Sequence, residues 1–109
     1  MGWFDRIFGK KAPENAKVNP APSTPDIPPE RVGLNGEYDD SGLAKRVALA
    51  FDNDSALTDE DRLWVAQTGS TVVLKGTVSD QATLDKMISV AHNVQGASVV
   101  DSSQVTVSA

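Results

Sequence analysis

Apolar residues first follow a helical and then a strand-like period in the C-terminal two thirds of the chain. After position 41 they recur at helical spacing: Leu43, Val47, Ala50 and Phe51. Asp40 or Ser41 stands where a side chain could cap the first turn of such a helix. Apolar and polar residues then alternate over 62–68 and 71–78, and the intervening Gly69-Ser70 is typical of a tight turn. The pattern predicts a helix followed by a β-hairpin.

A second helix and a last strand are predicted beyond the hairpin. Ser79 can cap this helix, whose apolar residues follow the i, i+3, i+4, i+7 rule: Leu84, Met87, Ile88, Ala91 and Val94. Gly96 stands where a left-handed C′ residue would end the helix. The following stretch is rich in strand-forming residues, but Val100 and Val105 have opposite parity. This predicts a bulge near Ser102-Ser103.

These elements predict the fold class: a single small α+β domain over residues 41–109 with the order α-β-β-α-β. In the hairpin, Val72, Leu74 and Val78 share one face, which should pack beneath the two helices. Gly76 lies on the same face and would leave room for a helix backbone to approach the sheet closely. The glycines of this region thus have structural explanations and are not candidate site residues.

The first 11 residues form a short amphipathic pattern outside this domain. Four apolar residues lie on one arc of a helix: Trp3, Phe4, Ile7 and Phe8. With Lys10 and Lys11 they are candidates for contact with a membrane or with a protein partner. So short a helix is marginal in water and should order only against a surface. In the alternative interpretation, the aromatic residues fold back onto the domain as a satellite of its core.

Residues 12–40 contain all six prolines of the chain among small and acidic residues. We refer to them as the proline-rich segment. Such a composition favours an extended, disordered linker, which at about 3.1 Å per residue would place the domain up to roughly 90 Å from the surface that the amphipathic tip contacts. A ligand for a proline-binding groove is the less favoured alternative.

Composition and charge exclude several classes of function. The net charge of −5 divides into +2 over residues 1–11, −4 over 12–40 and −3 over 41–109. An acidic body lacks the cationic groups on which nucleic-acid binding depends, so no nucleic-acid partner is expected. The absence of cysteine excludes thiol chemistry, and no apolar run is long enough to span a membrane. The expected location is the cytoplasm, with peripheral attachment to the inner membrane as the alternative.

The hairpin and the region after the second helix resemble the BON domain family. The resemblance rests on Val72-x-Leu74-x-Gly76-x-Val78 and on Gly96 followed by Val99-Val100. It implies a three-stranded mixed sheet with two helices on one face, as in bacterial envelope, stress-response and channel-associated proteins assigned to phospholipid or ligand binding. The opening Met1–Phe4 is weakly similar to the start of cytoplasmic potassium-binding BON/LysM proteins. The family has no common catalytic residue to transfer.

Few side chains are candidates for chemistry. The single histidine, His92, lies on the polar face of the second helix and lacks the positioned partner that a general base requires. The loop after the first helix is acidic, and its carboxylates could collect around a weakly bound cation: Asp52, Asp54, Asp59 and Asp61. The spacing fails the EF-hand pattern, so a solvated loop is the favoured interpretation. No catalytic residue and no firm cofactor are predicted.

Trp64 is the most unusual residue of the predicted domain. If Leu63 and Val65 point to the core, Trp64 points out from the other face of the hairpin, beside Val73 and Lys75. Exposed aromatic residues are common anchors at protein interfaces and at the lipid headgroup level. This face is therefore a candidate contact surface, with simple cross-strand packing of Trp64 on Val73 as an equal alternative.

The leading hypothesis from sequence is a non-enzymatic binding module that docks to phospholipid or a scaffold through its N-terminal tip. The BON-like domain would then present a surface to a second ligand. One alternative is a soluble sensor of potassium, calcium or a small ligand, suggested by the acidic loop. Another is a protein-interaction or self-assembly module that uses an open sheet edge or the face that carries Trp64.

Overall fold

A computed structural model describes residues 3–9, 16–54, 57 and 62–107. The elements follow in chain order: α1 (Trp3–Phe8), a 3₁₀ turn (Pro29–Arg31), α2 (Gly42–Asp52), β1 (Leu63–Thr68), β2 (Thr71–Val78), α3 (Gln81–His92) and β3 (Val99–Val107). From α2 onward this is the predicted α-β-β-α-β order. The fold is a single small α+β domain, to which α1 adds a third helix.

The three strands form one mixed sheet in the order β1-β2-β3. β1 pairs with β2 in antiparallel orientation, and β3 pairs with β2 in parallel orientation. Alternate residues of each strand point to the face on which α2 and α3 pack, among them Val65, Val72 and Leu74, which are at most 1% exposed. The opposite face carries no described helix, and we call it the outer face.

Two glycines in the hairpin have backbone conformations that side chains rarely adopt. Gly69 has a φ of +58° and begins the two-residue turn between β1 and β2, as predicted. Gly76 has a φ of +122°, and a Cβ there would lie 2.1 Å from the carbonyl oxygen of Arg62. The prediction that Gly76 makes room for a helix is therefore wrong, because the close neighbour is the chain entering β1.

The predicted bulge in β3 is confirmed. Val73 of β2 pairs with Asp101, whereas Lys75 pairs with Gln104, so two residues of β3 lie opposite the single Leu74. The extra residue falls at Ser102-Ser103 and restores the inward orientation of the valines that follow. On the helix side, the partly buried valines of β3 pack against the core: Val100, Val105 and Val107.

The ends of α3 differ from the prediction. Asp80, not Ser79, caps the helix, because its side chain accepts a hydrogen bond from the N–H of Thr83. The helix ends at His92, four residues before Gly96. Gly96 is thus not the C′ residue of α3. A Cβ at Gly96 would lie 2.7 Å from the main-chain nitrogen of Glu30, so this glycine allows the proline-rich segment to approach.

α1 packs against α2 instead of projecting from the domain. Trp3 and Phe4 are 0% and 1% exposed and belong to the hydrophobic core. The Trp3 ring lies edge-on to Phe51, with 4.9 Å between the ring centroids, and its Nε1 donates to the carbonyl of Leu57. The expectation of an exposed tip is therefore wrong for Trp3 and Phe4, and the alternative, in which the aromatic residues fold back onto the domain, is the arrangement found. The apolar face of α2 offers the two rings a buried environment.

The described part of the proline-rich segment packs on the domain. Val32 and Leu34 are each 5% exposed, and the fully buried Arg46 of α2 donates hydrogen bonds to the main-chain carbonyls of Val18, Pro29 and Val32. Because one arginine side chain binds carbonyls at three positions of the segment, it fixes the path of the segment across the domain. The expected extended linker is therefore wrong for residues 16–40, and the core does not begin at residue 41.

The segment is also attached to the sheet. Gln67 of β1 points toward the helices, where its Nε2 donates to the carbonyl of Glu30 and its Oε1 accepts from the N–H of Ala44 in the first turn of α2. Asn19 accepts a hydrogen bond from the N–H of Gln95. Within the described ranges, no helix has the length and apolar character needed to cross a membrane.

Candidate contact surface

The outer face of the sheet is formed by the side chains that alternate with the buried ones. Across the three strands it consists of cross-strand rows of paired residues: Trp64, Lys75 and Gln104; Ala66, Val73 and Asp101; and Thr68, Thr71 and Val99. No described helix packs on these rows, and two of their apolar residues, Trp64 and Val99, are 44% and 53% exposed. The face is thus an open, partly apolar surface.

Trp64 lies where the sequence predicts it. It pairs directly with Lys75 on β2, so the indole and the aliphatic stem of the lysine are neighbours on the outer face. Val73, one row away, is half-buried. The three residues predicted as a contact surface in the hairpin therefore form one patch.

The outer face differs in charge from the rest of the protein. Lys75 shares the face with the carboxylate of Asp101. Arg62 directly precedes β1, is exposed, and accepts a hydrogen bond at its carbonyl from the N–H of Thr77, so a second cation lies at the border of this face. The chain as a whole carries −5. Hydrogen bonds from the hydroxyl and N–H of Ser103 lower the pKa of Asp101. The Asp101 carboxylate therefore stays ionised, and its hydrogen-bond donors come from Ser103 of the bulge.

A groove of about 290 Å³ borders the outer face along the open side of β1. Its floor is the strand from Trp64 to Gln67, and its walls are the end of α1, at Ile7 and Phe8, and the start of α2. Ile7 and Phe8 are partly buried, and Lys45 lies over the Phe8 ring at 5.8 Å from the centroid. Of the predicted tip residues that the structure describes, these two reach the surface near Trp64.

The other predicted contact residues are not part of this surface. Trp3 and Phe4 are enclosed in the core, and their N–H groups donate to the carboxylate of Asp52. In this arrangement neither ring is accessible to a membrane or partner. Lys10 and Lys11 lie outside the described residues.

The acidic loop does not assemble as a site in the described part of the chain. Asp52 accepts the hydrogen bonds from α1, and Asp54 forms a salt bridge of 3.3 Å with Lys86 on α3. Asp59 and Asp61 lie outside the described residues. Among the residues that the structure describes, no three acidic, histidine or cysteine side chains are grouped closely enough to hold a metal ion. His92 is exposed at the end of α3.

Two polar residues that organise the fold were missed from sequence. Arg46 lies three residues after Leu43 and four before Ala50, which places it on the apolar arc of α2. Gln67 shares the inward parity of Leu63 and Val65. In both cases a polar residue stands at a position that the pattern assigns to the core. Because buried polar groups require hydrogen-bond partners, this could have indicated that another segment packs there.

No protein-family model, curated protein or solved structure matches this chain. The resemblance to the BON domain therefore stays a prediction, which rests on the residues of the hairpin and of the region after α3.

Proposed function

We propose that this protein is a non-enzymatic binding module that docks to phospholipid surfaces through the outer face of its sheet. The observation that carries the proposal is the position of Trp64, 44% exposed and paired with Lys75 on a face without a described covering element. The contact is assigned to this face and not to the N-terminal tip, because Trp3 and Phe4 already fill the core.

The chemistry of the patch suits the boundary between lipid and water. An indole prefers the headgroup level, where its ring meets apolar chains and its N–H meets water. A lysine beside it can extend its stem along the ring and place its ammonium among lipid phosphates. Arg62 and Lys75 each contribute about 1 kcal/mol near an anionic membrane, so the acidic protein should approach such a membrane with this face.

The resemblance to the BON family supports the same role, since that family is assigned to phospholipid or ligand binding. A flat patch with one tryptophan and two cations gives weak, reversible attachment, comparable to other peripheral contacts that lack an inserted helix or a lipid anchor. We therefore expect binding that depends on anionic lipid and weakens with salt.

Vesicle flotation tests the proposal. Wild-type protein is mixed with vesicles of phosphatidylcholine and phosphatidylglycerol (about 3:1) or of phosphatidylcholine alone. We expect recovery with the anionic vesicles, lost in Trp64→Ala and reduced at least about tenfold in apparent affinity in Lys75→Glu, because two units of charge change at the surface. Tyr38→Ala is the matched control, since Tyr38 is an aromatic residue 58% exposed outside the sheet.

The two tryptophans distinguish docking by the sheet from docking by the tip. Trp64 is the single tryptophan of Trp3→Phe protein, and Trp3 is the single tryptophan of Trp64→Phe protein, so selective excitation of tryptophan reports on one position in each variant. Vesicles that contain brominated lipid should quench Trp64 and leave the buried Trp3 unaffected. Quenching of Trp3 alone would contradict the proposal and favour the tip, and an absence of flotation with both vesicle types would reject phospholipid as the ligand.

A further inference from the structure

β1 is an edge strand whose outward main-chain groups can be identified from the register. Thr68 and Thr71 flank the two-residue turn, and the N–H of Thr77 donates to the carbonyl of Arg62 at 3.0 Å. The even-numbered residues of β1 therefore direct their N–H and C=O groups to β2. Those of Val65 and Gln67 point to the open side, where the described residues offer them no hydrogen-bond partner.

The two edges of the sheet are protected differently. β3 carries the bulge at Ser102-Ser103 and the charge of Asp101, both of which disfavour pairing with another strand. β1 contains no proline, no bulge and no charged residue along its six positions. It is a regular strand without the usual devices against edge-to-edge association.

We propose that β1 pairs with β1 of a second copy of this chain, in antiparallel orientation about a two-fold axis through Ala66. In this register Val65 and Gln67 of one copy exchange hydrogen bonds with Gln67 and Val65 of the other, which gives four bonds in all. On the outer face, Ala66 meets its own counterpart and Trp64 lies opposite Thr68. The result is a continuous six-stranded sheet.

The charge and size of the residues at β1 favour a second copy as the occupant. Two copies that each carry a net charge of −5 repel each other, and β1 is a place where they can meet without opposing side-chain charges because none of its residues is charged. Asp40, an acidic residue that lines the adjacent groove, is paired with Arg31. Ala66 is small enough to face itself in the close spacing of a non-hydrogen-bonded pair, about 4.5 Å between Cα atoms. The groove along β1 leaves space for the approaching strand.

An interface built on one strand is at the small end of those that form in solution. We expect a dissociation constant of roughly 0.1 to 1 mM, so the dimer should be populated at high concentration or on a surface that concentrates the protein. Antiparallel pairing about an axis perpendicular to the sheet places both outer faces on the same side. The dimer is inferred from β1 alone and does not require that the outer face bind lipid.

Cysteine cross-linking tests the register directly, since the natural chain has no cysteine. Two residues in a non-hydrogen-bonded antiparallel pair meet the distance requirement of a disulfide. Ala66→Cys should therefore form a covalent dimer under mild oxidation at least about tenfold faster than Thr106→Cys. Thr106 is the matched control because it lies on the same face but on β3. In denaturant the two variants should react at equal rates.

Sedimentation of the protein without cysteine provides the second measurement. The wild type should show concentration-dependent association up to about 1 mM, and Ala66→Lys should remain monomeric because it places two ammonium groups at the axis. Thermal melting confirms that this variant is folded. Equal cross-linking of the two cysteine variants, or a monomeric wild type at 1 mM, would overturn the proposal, and neither result would bear on binding to vesicles by a monomer.

Discussion

The Nε atom of Arg46 donates a 2.7 Å hydrogen bond to the main-chain carbonyl of Val32, which joins α2 to the proline-rich segment. The same guanidinium donates to the carbonyls of Val18, Pro29 and Gln95, and all of these acceptors are main-chain oxygens. Burial lowers the pKa of Arg46. One cation thus holds the proline-rich segment and the turn after α3 against the same helix.

Replacement of Arg46 should release the proline-rich segment. In Arg46→Met the carbonyls of Pro29, Val32 and Gln95 lose their buried donor while the apolar stem is kept, so we expect the free energy of unfolding to fall by about 3 kcal/mol. Urea unfolding measures this loss. Trypsin should also cleave at Lys17 and Arg31 faster in the folded variant, because the segment is less firmly held.

Lys45→Met is the control for this substitution. Lys45 is the neighbouring cation on α2, but it is partly exposed and pairs with Asp39 at 2.7 Å. Removal of such a pair should cost less than about 1 kcal/mol. If both variants lost the same stability, or if Arg46→Met left cleavage unchanged, the arginine would not hold the segment.

Substitution of Trp3 should destabilise the whole domain. The ring is fully buried against Phe51, so Trp3→Ala should lower the free energy of unfolding by about 3 to 5 kcal/mol. Trp3→Phe keeps an aromatic ring but removes the donor to the carbonyl of Leu57, so we expect the free energy of unfolding to fall by about 1 kcal/mol. Denaturant unfolding followed by circular dichroism gives both values. An unchanged stability in Trp3→Ala would mean that α1 does not contribute to the core.

The elements that could be predicted from sequence are those specified by local patterns. The turn at Gly69-Ser70 fixes the register of the hairpin, and the alternation of its residues then assigns Trp64 to the outer face. The bulge in β3 was visible because Val100 and Val105 differ in parity but share a core. Each of these features depends on residues close in the chain.

The packing of residues 3–9 and 16–40 depends on contacts between distant positions. This explains why the sequence offered the docking of α1 on the core only as an alternative and did not predict the path of the proline-rich segment. Arg46 donates to no distinctive residue type: its acceptors are main-chain carbonyls, and every residue of the chain carries one. Six prolines indicate an extended backbone equally well for a free linker and for a segment bound along a surface. The amphipathic pattern of α1 likewise identified an apolar arc but not the surface, α2, that covers it.

The two hairpin glycines should respond differently to alanine. A Cβ at Gly76 would lie 2.1 Å from the carbonyl oxygen of Arg62, so Gly76→Ala requires movement of the backbone and should cost about 3 kcal/mol or more. Gly69 has open space around it and only the strain of its φ of +58°, so Gly69→Ala should cost about 1 kcal/mol. Thermal and urea unfolding of both variants provide the comparison, and an equal cost would contradict the assigned close contact.

The cap of α3 should make part of the stability depend on pH. Hydrogen bonds from the backbone and side chain of Thr83 lower the pKa of Asp80 below its usual value of 3.8. Because the folded pKa is the lower one, the stabilisation is present above pH 3.8 and is lost as the pH falls through the folded value. In Asp80→Asn the side chain still caps the helix but does not titrate. The difference in Tm between wild type and Asp80→Asn should therefore narrow from pH 5 to about pH 2.5.

The pKa values of Asp26, Asp40 and Asp101 are also lowered, but these residues titrate in both proteins, so their contributions cancel in the difference. A difference in Tm that stays constant over this range would contradict the assignment of Asp80 as a titrating cap.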